Sequence, residues 1–350
     1  MCEKCQTKVL QATSSDHSSF ERGVIERRAL RDDDVAIDIK YCGICHSDIH
    51  VVDNDLGNAV YPMVPGHEIA GVVSAVGGKV TRFKVGDPVG VGCFVDSCGK
   101  CEFCLRGEEQ FCTRGVVIVF NSVGYDGNIT YGGYAKSIVV KEHFVVGIPA
   151  SMDLAVAAPL LCAGITTYAP MKKWGVGPGK KAAIIGMGGL GHIAIQFARK
   201  LGAEVTVLGH SAAKKDEAVQ FGANAYRLTS DPATFKDLAG NFDFILNTTA
   251  LKLDVDEYIR LLKVNGALVY VGLAGEPQTF SPIGLIFKQA VLTGSDVGGM
   301  PMTQEMINFA AEHGVTPKIE MIGVDQVPEA YKRILNSDVR YRFVIDMATL

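Results

Sequence analysis

The sequence is poor in several things. It has 350 residues but a single tryptophan, Trp174, only 21% charged residues, and a net charge of -4. Without a basic excess there is no electrostatic footprint for nucleic acid, and no polybasic surface for an anionic membrane. The start, Met1-Cys2-Glu3-Lys4-Cys5, lacks the apolar core of a signal peptide, so the expected compartment is the reducing cytoplasm. The longest weakly polar stretch, Leu154 to Met171, is broken by Pro159, Gly164, Thr166, Thr167 and Pro170. It reads as buried protein rather than a membrane span. No fixed-period repeat and no low-complexity tract is visible.

What is present is cysteine, ten in all, within a chain that is 48% hydrophobic and long enough for two ordinary domains. In a reducing compartment clustered thiols bind metal more often than they form disulfides. The densest chemistry lies in Cys42-Gly43-Ile44-Cys45-His46-Ser47-Asp48-Ile49-His50, with Gly66-His67-Glu68 following. A further thiol, Cys162, stands alone in Pro159-Leu160-Leu161-Cys162-Ala163-Gly164. Cys45, His67 and Cys162 have the make-up of an open zinc site: two thiolates, one imidazole and a fourth position free for water or substrate. Their wide spacing suits a reactive site assembled from distant segments. Cys42 and Cys45 also have redox-pair spacing, which is the competing reading.

Cys98, Cys101, Cys104 and Cys112 place four thiols within fifteen residues. They can close a tetrahedral shell completely, leaving no room for substrate, so this metal is expected to be structural. A redox-active pair or an iron-sulfur cluster is the alternative. Cys93 is out of step and reads as a small buried hydrophobe. Cys2 and Cys5 have metal-like spacing but no completing ligands, and read as a solvated end.

The texture changes along the chain. Residues 1 to about 150 are rich in glycine and β-branched residues. Val35 to Lys40 alternates like a half-buried strand, Ile69 to Gly77 reads as another, and Val80 to Val91 carries a Gly86-Asp87-Pro88 turn between two short strands. From about 150, strands and helices alternate. Lys181 to Ile185 leads into Gly186-Met187-Gly188-Gly189-Leu190-Gly191, and a helical pattern runs from His192 to Leu201. Strands follow at 204–208, 242–246 and 267–271. This is the pattern of a doubly wound parallel sheet. A glycine loop between strand and helix brings backbone against a pyrophosphate at the helix N-terminus. His192 at the helix start reads as structural. A helix is expected around Thr303 to His313, and a last strand, Tyr341 to Asp346, can return to the first domain.

An NAD-preferring fold has a carboxylate at the end of the second strand. Here that end is Leu208-Gly209-His210-Ser211, followed by Lys214 and Lys215, while Glu204 stands at the opposite end. With no acid to repel a 2′-phosphate and His210, Ser211 and Lys214 to receive it, NADP(H) is favoured. The lysines read alternatively as a solvated helix start.

Taken in order, Gly43 to Asp48, Pro65-Gly66-His67-Glu68, the four-cysteine lobe, Cys162 to Tyr168 and the glycine loop resemble the zinc-containing medium-chain alcohol dehydrogenases. The nearest likeness is to the cinnamyl-alcohol-dehydrogenase-like branch of NADP-dependent aldehyde reductases, over nearly the whole chain. The resemblance implies an α/β chain with a GroES-like β-rich catalytic domain, residues 1–149 and 296–350, whose structural-zinc lobe spans 93–115. A Rossmann NADP(H)-binding domain, residues 150–295, is inserted. It implies two zinc ions per chain, one catalytic on Cys45, His67 and Cys162, one structural on Cys98, Cys101, Cys104 and Cys112.

It further implies Glu68 as the acid beside the metal, Asp48 as the carboxylate that orients a ligating imidazole, and Ser47 and His50 as the proton relay. Cofactor contacts are implied at His46, Thr166, Val271, Ser295 and Arg342, the last at the pyrophosphate, beside Gly186, Gly188, Gly189, Leu190 and Gly191 of the loop. Zinc would polarise an aldehyde and NADPH deliver hydride from an adjacent cleft between the domains, with His50 the general base; a satisfied surface histidine is the bland reading of His50. The segment Gly115 to Phe120 departs from the branch's more polar pattern, which puts an aromatic substrate in doubt.

The apolar edge Ala290 to Gly294, with the family likeness, predicts a homodimer through the Rossmann domains. The partner is a small alcohol or aldehyde, with neither nucleic acid nor membrane involved. Two other readings are a polyol or secondary-alcohol dehydrogenase using NAD, and a zinc-stabilised NADPH-binding protein without turnover.

Overall fold

The computed structural model describes residues 5–273 and 275–350, so Cys2 lies outside the described residues. The chain forms two compact units: Met1–Cys162 with Gly298–Glu312 and Pro317–Leu350, and Ala163–Val297 with His313–Thr316.

The first unit is built on a seven-stranded sheet. Its path runs Ile319–Ile322, Arg342–Asp346, Asp34–Gly43, Ile69–Val76, Pro88–Val91, Val146–Gly147, and Ser137–Lys141 also pairs with Asp34–Gly43. The alternation seen in the sequence is real: Ile37 and Ile39 are buried while Asp38 and Lys40 face solvent. At Cys42 and Gly43 the strand becomes buried throughout, because both the C-terminal strand and the Glu68 segment lie against it. Val344 pairs with Gly43 and Ile345 with Cys42, so the last strand does return to the first. Register shifts opposite Ile69–Val76 bend the long strand just before this point, a device common next to reactive sites. Of the two strands expected within 80–91, only Pro88–Val91 forms; Val80 to Val85 is loop, closed by Gly86 at φ 95°.

The second unit is a six-stranded parallel sheet in the order Ala225–Leu228, Glu204–Gly209, Lys181–Ile185, Phe242–Asn247, Leu262–Tyr270, Val291–Gly294. In chain order this is 3-2-1-4-5-6, the doubly wound arrangement with its ligand crevice at the carboxyl ends of the strands. Ala182 to Ile185, Val205 to Leu208 and Phe244 to Leu246 are buried, as helices on both faces require.

Residues 154–173 form an apolar rod: helix Leu154–Pro159, a π-turn Leu160–Gly164, and helix Ile165–Lys173. By length and hydropathy it could cross a membrane, but 89% of its most apolar window is buried inside the protein. The chain passes from the first unit to the second within the π-turn, between Cys162 and Ala163, rather than at residue 150. The reason is that Ala157 and Ala158 pack with Ala70 and Ile148 of the first unit.

Candidate active site and metal centres

The site starts from the end of Asp34–Gly43. Two residues later Cys45 caps the helix His46–Val52 in extended conformation, and Asp48 at the third helical position reaches back to it. Asp48 Oδ2 accepts the Cys45 N–H at 2.9 Å, which is one half of a capping box. The same carboxylate does more than cap. Its Oδ1 accepts the Gly66 N–H at 3.0 Å and holds His67 Nδ1 at 2.9 Å. One buried acid thus ties together the two chain segments that carry Cys45 and His67. Because Nδ1 is spent on Asp48, the lone pair of Nε2 faces the other way.

The third residue arrives from the π-turn, a widened helical turn often found at reactive sites. Thr167 Oγ1 stabilises it by donating to Ala163 O at 2.9 Å. Cys162 Sγ lies 3.9 Å from Cys45 Sγ. Two thiolates about 2.3 Å from a tetrahedral zinc are separated by about 3.8 Å, so the pair is set for one ion. Donor atoms of Cys45, His67, Glu68 and Cys162 all lie within 4.8 Å of one another, and all four residues are buried. The soft, oxygen-poor donor set fits zinc. The Oε2 atom of Glu68 is buried and has no hydrogen-bond partner among the described residues, so a cation held by this cluster would give its carboxylate a counter-charge.

The electrostatics agree. Two thiolates this close repel, so Cys45 is drawn well below the usual thiol range by the hydrogen bond from Cys162, while Cys162 is pushed well above it by donating. Burial pulls His67 down, but Asp48 and Cys45 together carry it well above its ordinary value. A cation replacing those protons satisfies every group at once. Burial raises Glu68 to about 7 against the pull of Arg342. Arg342 itself stays firmly charged, since Glu68 and the two thiols outweigh its burial. The Arg342 guanidinium is paired with Glu68 Oε1. Its implied pyrophosphate role is therefore joined to a contact the sequence did not suggest.

Of the two residues expected to form a proton relay, Ser47 has its Oγ 3.8 Å from Cys45 Sγ. His50 Nδ1 pairs with Asp55 Oδ2 at 2.7 Å at the solvent-facing end of the helix. His46 lies beside His50, with ring centroids 5.9 Å apart, and burial lowers its pKa. Cys42 does not form a pair with Cys45. Its thiol donates to Gly43 O at 3.6 Å and packs against Gly66 and Gly133.

The second centre is local. Cys98, Cys101, Cys104 and Cys112 bring four sulfurs within 4.8 Å of one another. Cys98 and Cys104 sulfurs are 3.8 Å apart, Cys101 and Cys104 3.4 Å. Backbone hydrogen bonds from Cys104 and Thr113 pull Cys101 down to about 5. Ser97 Oγ sits 3.3 Å from Cys104 Sγ and Tyr125 Oη 3.8 Å from Cys112 Sγ. The closed all-sulfur shell fits a structural zinc.

In the second unit the cofactor candidates gather at the carboxyl ends of the strands. Gly186, at φ 85°, follows Lys181–Ile185, and a side chain there would meet Thr249. A Cβ at Gly188 would meet nothing within 4 Å, which leaves backbone open to a ligand. Gly189 and Leu190 lead to Gly191, where the helix Gly191–Lys200 begins. His192 is buried with Nδ1 2.9 Å from Gly188 O, so it braces this loop. His210 and Ser211 are exposed beyond Glu204–Gly209. Ser211 caps the next turn, and Lys214 Nζ reaches back to Met187 O at 2.8 Å. Val271 and Ser295 follow the fifth and sixth strands, with their N–H groups bonded to Asn247 O and Tyr270 O. Thr166 is buried in Ile165–Lys173.

Three features of the site leave little or no trace in the sequence. A Cβ at Gly43 would strike Glu68 Oε2, so glycine is required there. Cys93 is half-buried rather than buried, and its thiol acts on Cys162, pushing that group up. Phe120 is stacked on His67, with centroids 6.0 Å apart and planes 19° apart. Each depends on contacts between segments distant in sequence, and only the glycine beside a cysteine motif carried any signal.

Residues 31–150 match the family described as alcohol dehydrogenase GroES-like domain, and residues 189–312 match zinc-binding dehydrogenase. The chain is 63% identical over 350 residues, all of both chains, to a probable formaldehyde dehydrogenase of Bacillus subtilis. It is 54% identical over 340 residues, 97% of each chain, to NADP-dependent alcohol dehydrogenase C 1 of Mycolicibacterium smegmatis. A solved cinnamyl alcohol dehydrogenase of Sorghum bicolor superposes with a TM-score of 0.94 at 42% identity, over 98% of each chain. With that identity along its whole length, the chain belongs to the zinc-binding medium-chain alcohol dehydrogenases, on the branch that includes the cinnamyl alcohol dehydrogenases.

Proposed function

We propose that this chain interconverts primary alcohols and aldehydes with NADP(H), using a zinc ion held by Cys45, His67 and Cys162 and a second, structural zinc on Cys98, Cys101, Cys104 and Cys112. The observation that carries this reading is the convergence of two thiols and one imidazole, the imidazole held by Asp48, on one buried cluster beside Glu68. When bound, zinc supplies a Lewis acid for the carbonyl oxygen and NADPH supplies the hydride. Asp48 fixes the His67 tautomer and its direction. Glu68, paired with Arg342, is the acid beside the metal ligands. Ser47 Oγ, 3.8 Å from Cys45 Sγ, and the half-buried His50, paired with Asp55, are assigned to the proton path.

The NADP(H) preference rests on His210, Ser211 and Lys214 at the end of the second strand, where no carboxylate stands. The M. smegmatis relative is named for NADP. The NAD-dependent polyol reading has no acid there to support it, and the binding-only reading is disfavoured because the ligand trio is intact. The first unit, which carries Cys45, His67 and Cys162, is assigned to catalysis and the second to the dinucleotide, so the expected division at 149/150 moves to 162/163. We place the protein in the cytoplasm as a homodimer through the edge strand Val291–Gly294, near the exposed Ile283, Ile286 and Phe287; a monomeric mass at micromolar concentration would refute the dimer. The catalytic reading is tested by steady-state oxidation of NADPH and NADH with aliphatic, aromatic and terpenoid aldehydes. Turnover of aldehydes with NADPH at least tenfold more efficient than with NADH is expected; no turnover in protein carrying two zinc ions per chain would overturn it.

A further inference from the structure

We infer that Phe120 is a positioning residue for the metal-ligating imidazole of His67, and that the segment from Val117 to Asn121 exists to hold it there. A hydrogen bond fixes a point, not a plane. With Nδ1 tied to Asp48, the imidazole can still swing about the line through that contact, carrying Nε2 away from the two sulfurs. Phe120 removes this freedom by lying nearly parallel to the ring, 19° between planes and 6.0 Å between centroids. Both residues are buried, His67 at 3% and Phe120 at 4% exposure, so neither can move without opening a void. The inference rests on the reading of Cys45, His67 and Cys162 as a zinc site.

The segment around Phe120 is pinned on both sides. Before it, Val117–Ile118 pairs with Phe94–Asp96, and the Val119 N–H donates to Cys93 O at 2.9 Å. After it, Asn121 adopts φ 52°, a left-handed conformation that asparagine tolerates better than most residues. Asn121 Oδ1 accepts the Val60 N–H at 2.9 Å, its Nδ2 donates to Asn58 O at 3.3 Å, and its N–H donates to Thr130 O at 3.0 Å. The chain therefore reverses directly after Phe120 with the ring facing inward. The apolar run that ends in Phe120 thereby acquires a physical purpose at a metal ligand.

The test uses the full-length holoprotein and three variants. Phe120→Leu keeps an apolar side chain but removes the flat face; Phe120→Tyr keeps the face; Cys45→Ser removes a ligand. Three readouts are needed: the visible spectrum with cobalt in the Cys45 site, the rate of metal loss from that site to a chromogenic chelator, and the melting temperature with the zinc content of the four-cysteine site. Phe120→Leu is expected to alter the cobalt spectrum and to speed metal loss about three- to tenfold. The four-cysteine zinc and the melting temperature should stay near wild type, and Phe120→Tyr should restore the wild-type spectrum and rate. The proposal is overturned by a Phe120→Leu protein with unchanged spectrum and rate, by loss of both metals together with a fall in melting temperature, or by equal defects in Leu and Tyr. A Cys45→Ser protein that still holds two zinc ions per chain removes the metal assignment itself, a result distinct from failure at Phe120.

Discussion

Asp48 is the residue whose replacement says most about how the site is built. Its two oxygens accept from three donors: Cys45 N–H at 2.9 Å, Gly66 N–H at 3.0 Å and His67 Nδ1 at 2.9 Å. Leaving a buried donor unpaired costs about 1–3 kcal/mol. Asp48→Ala orphans all three, or roughly 3–9 kcal/mol, a large part of the ~5–15 kcal/mol that holds a domain together. That variant should fold poorly and report little about metal. Asp48→Asn keeps the shape and one acceptor but turns an N–H toward a donor, and it weakens the grip on His67. Changes to a group that orients a ligand typically lower metal affinity ~10- to 100-fold. At about 1.36 kcal/mol per decade, this is roughly 1.4–2.7 kcal/mol. The assay is competition with a chromogenic chelator, followed as two classes of zinc. Asp48→Asn should weaken one class by that factor and leave the four-cysteine class untouched. Affinity within twofold of wild type at both sites would refute the idea that Asp48 organises the centre.

Four further outcomes follow from the same geometry. Cys45→Ser should lower zinc content from two to one per chain and abolish aldehyde reduction while NADPH still quenches or enhances protein fluorescence. Replacing Cys98 by Ser should release the other zinc, lower the melting temperature and promote aggregation, because the lobe loses its metal rather than its reactivity. Gly43→Ala should be strongly destabilising, since the new methyl overlaps the buried Glu68 carboxylate; near-wild-type stability would contradict the packing at Glu68. Glu109 has its pKa below the ordinary carboxylate value of 4.5: burial opposes this, but His143 at 2.6 Å and the Met300 N–H at 3.0 Å prevail. A depressed folded pKa means the folded state binds fewer protons than the unfolded, so this contribution is complete above about pH 4.5 and fades as pH falls through the folded value. Glu109→Gln should therefore lose less stability than wild type when acidified below pH 5, measured by denaturant unfolding.

Where a donor cluster depends on residue type and local grouping, the sequence points to residues that the structure brings together. The four cysteines close on themselves within one lobe, and Cys45, His67 and Cys162 have few rivals as soft ligands. The parallel sheet was equally readable, because strands buried on both faces appear as short apolar runs such as Ala182 to Ile185. The strand expected between Val80 and Val85 does not form because none of the described strands pairs with it, and β-branched content alone does not make a strand. Cys93 and Phe120 are illegible in the sequence for a different reason. They reach the centre only through the pairing of 93 with 119 and the approach of 120 to 67, and neither pairing leaves a periodic trace. The family likeness implies a cofactor contact for Arg342; its pairing with Glu68, 274 residues away, is visible only in three dimensions.

The most direct test of the whole account is anomalous diffraction at the zinc edge on crystals of the fully metallated protein. Two peaks per chain are predicted, one enclosed by Cys98, Cys101, Cys104 and Cys112, the other bounded by Cys45 Sγ, His67 Nε2 and Cys162 Sγ. A single peak in the four-cysteine lobe, with the other three donors still gathered around nothing, would contradict it.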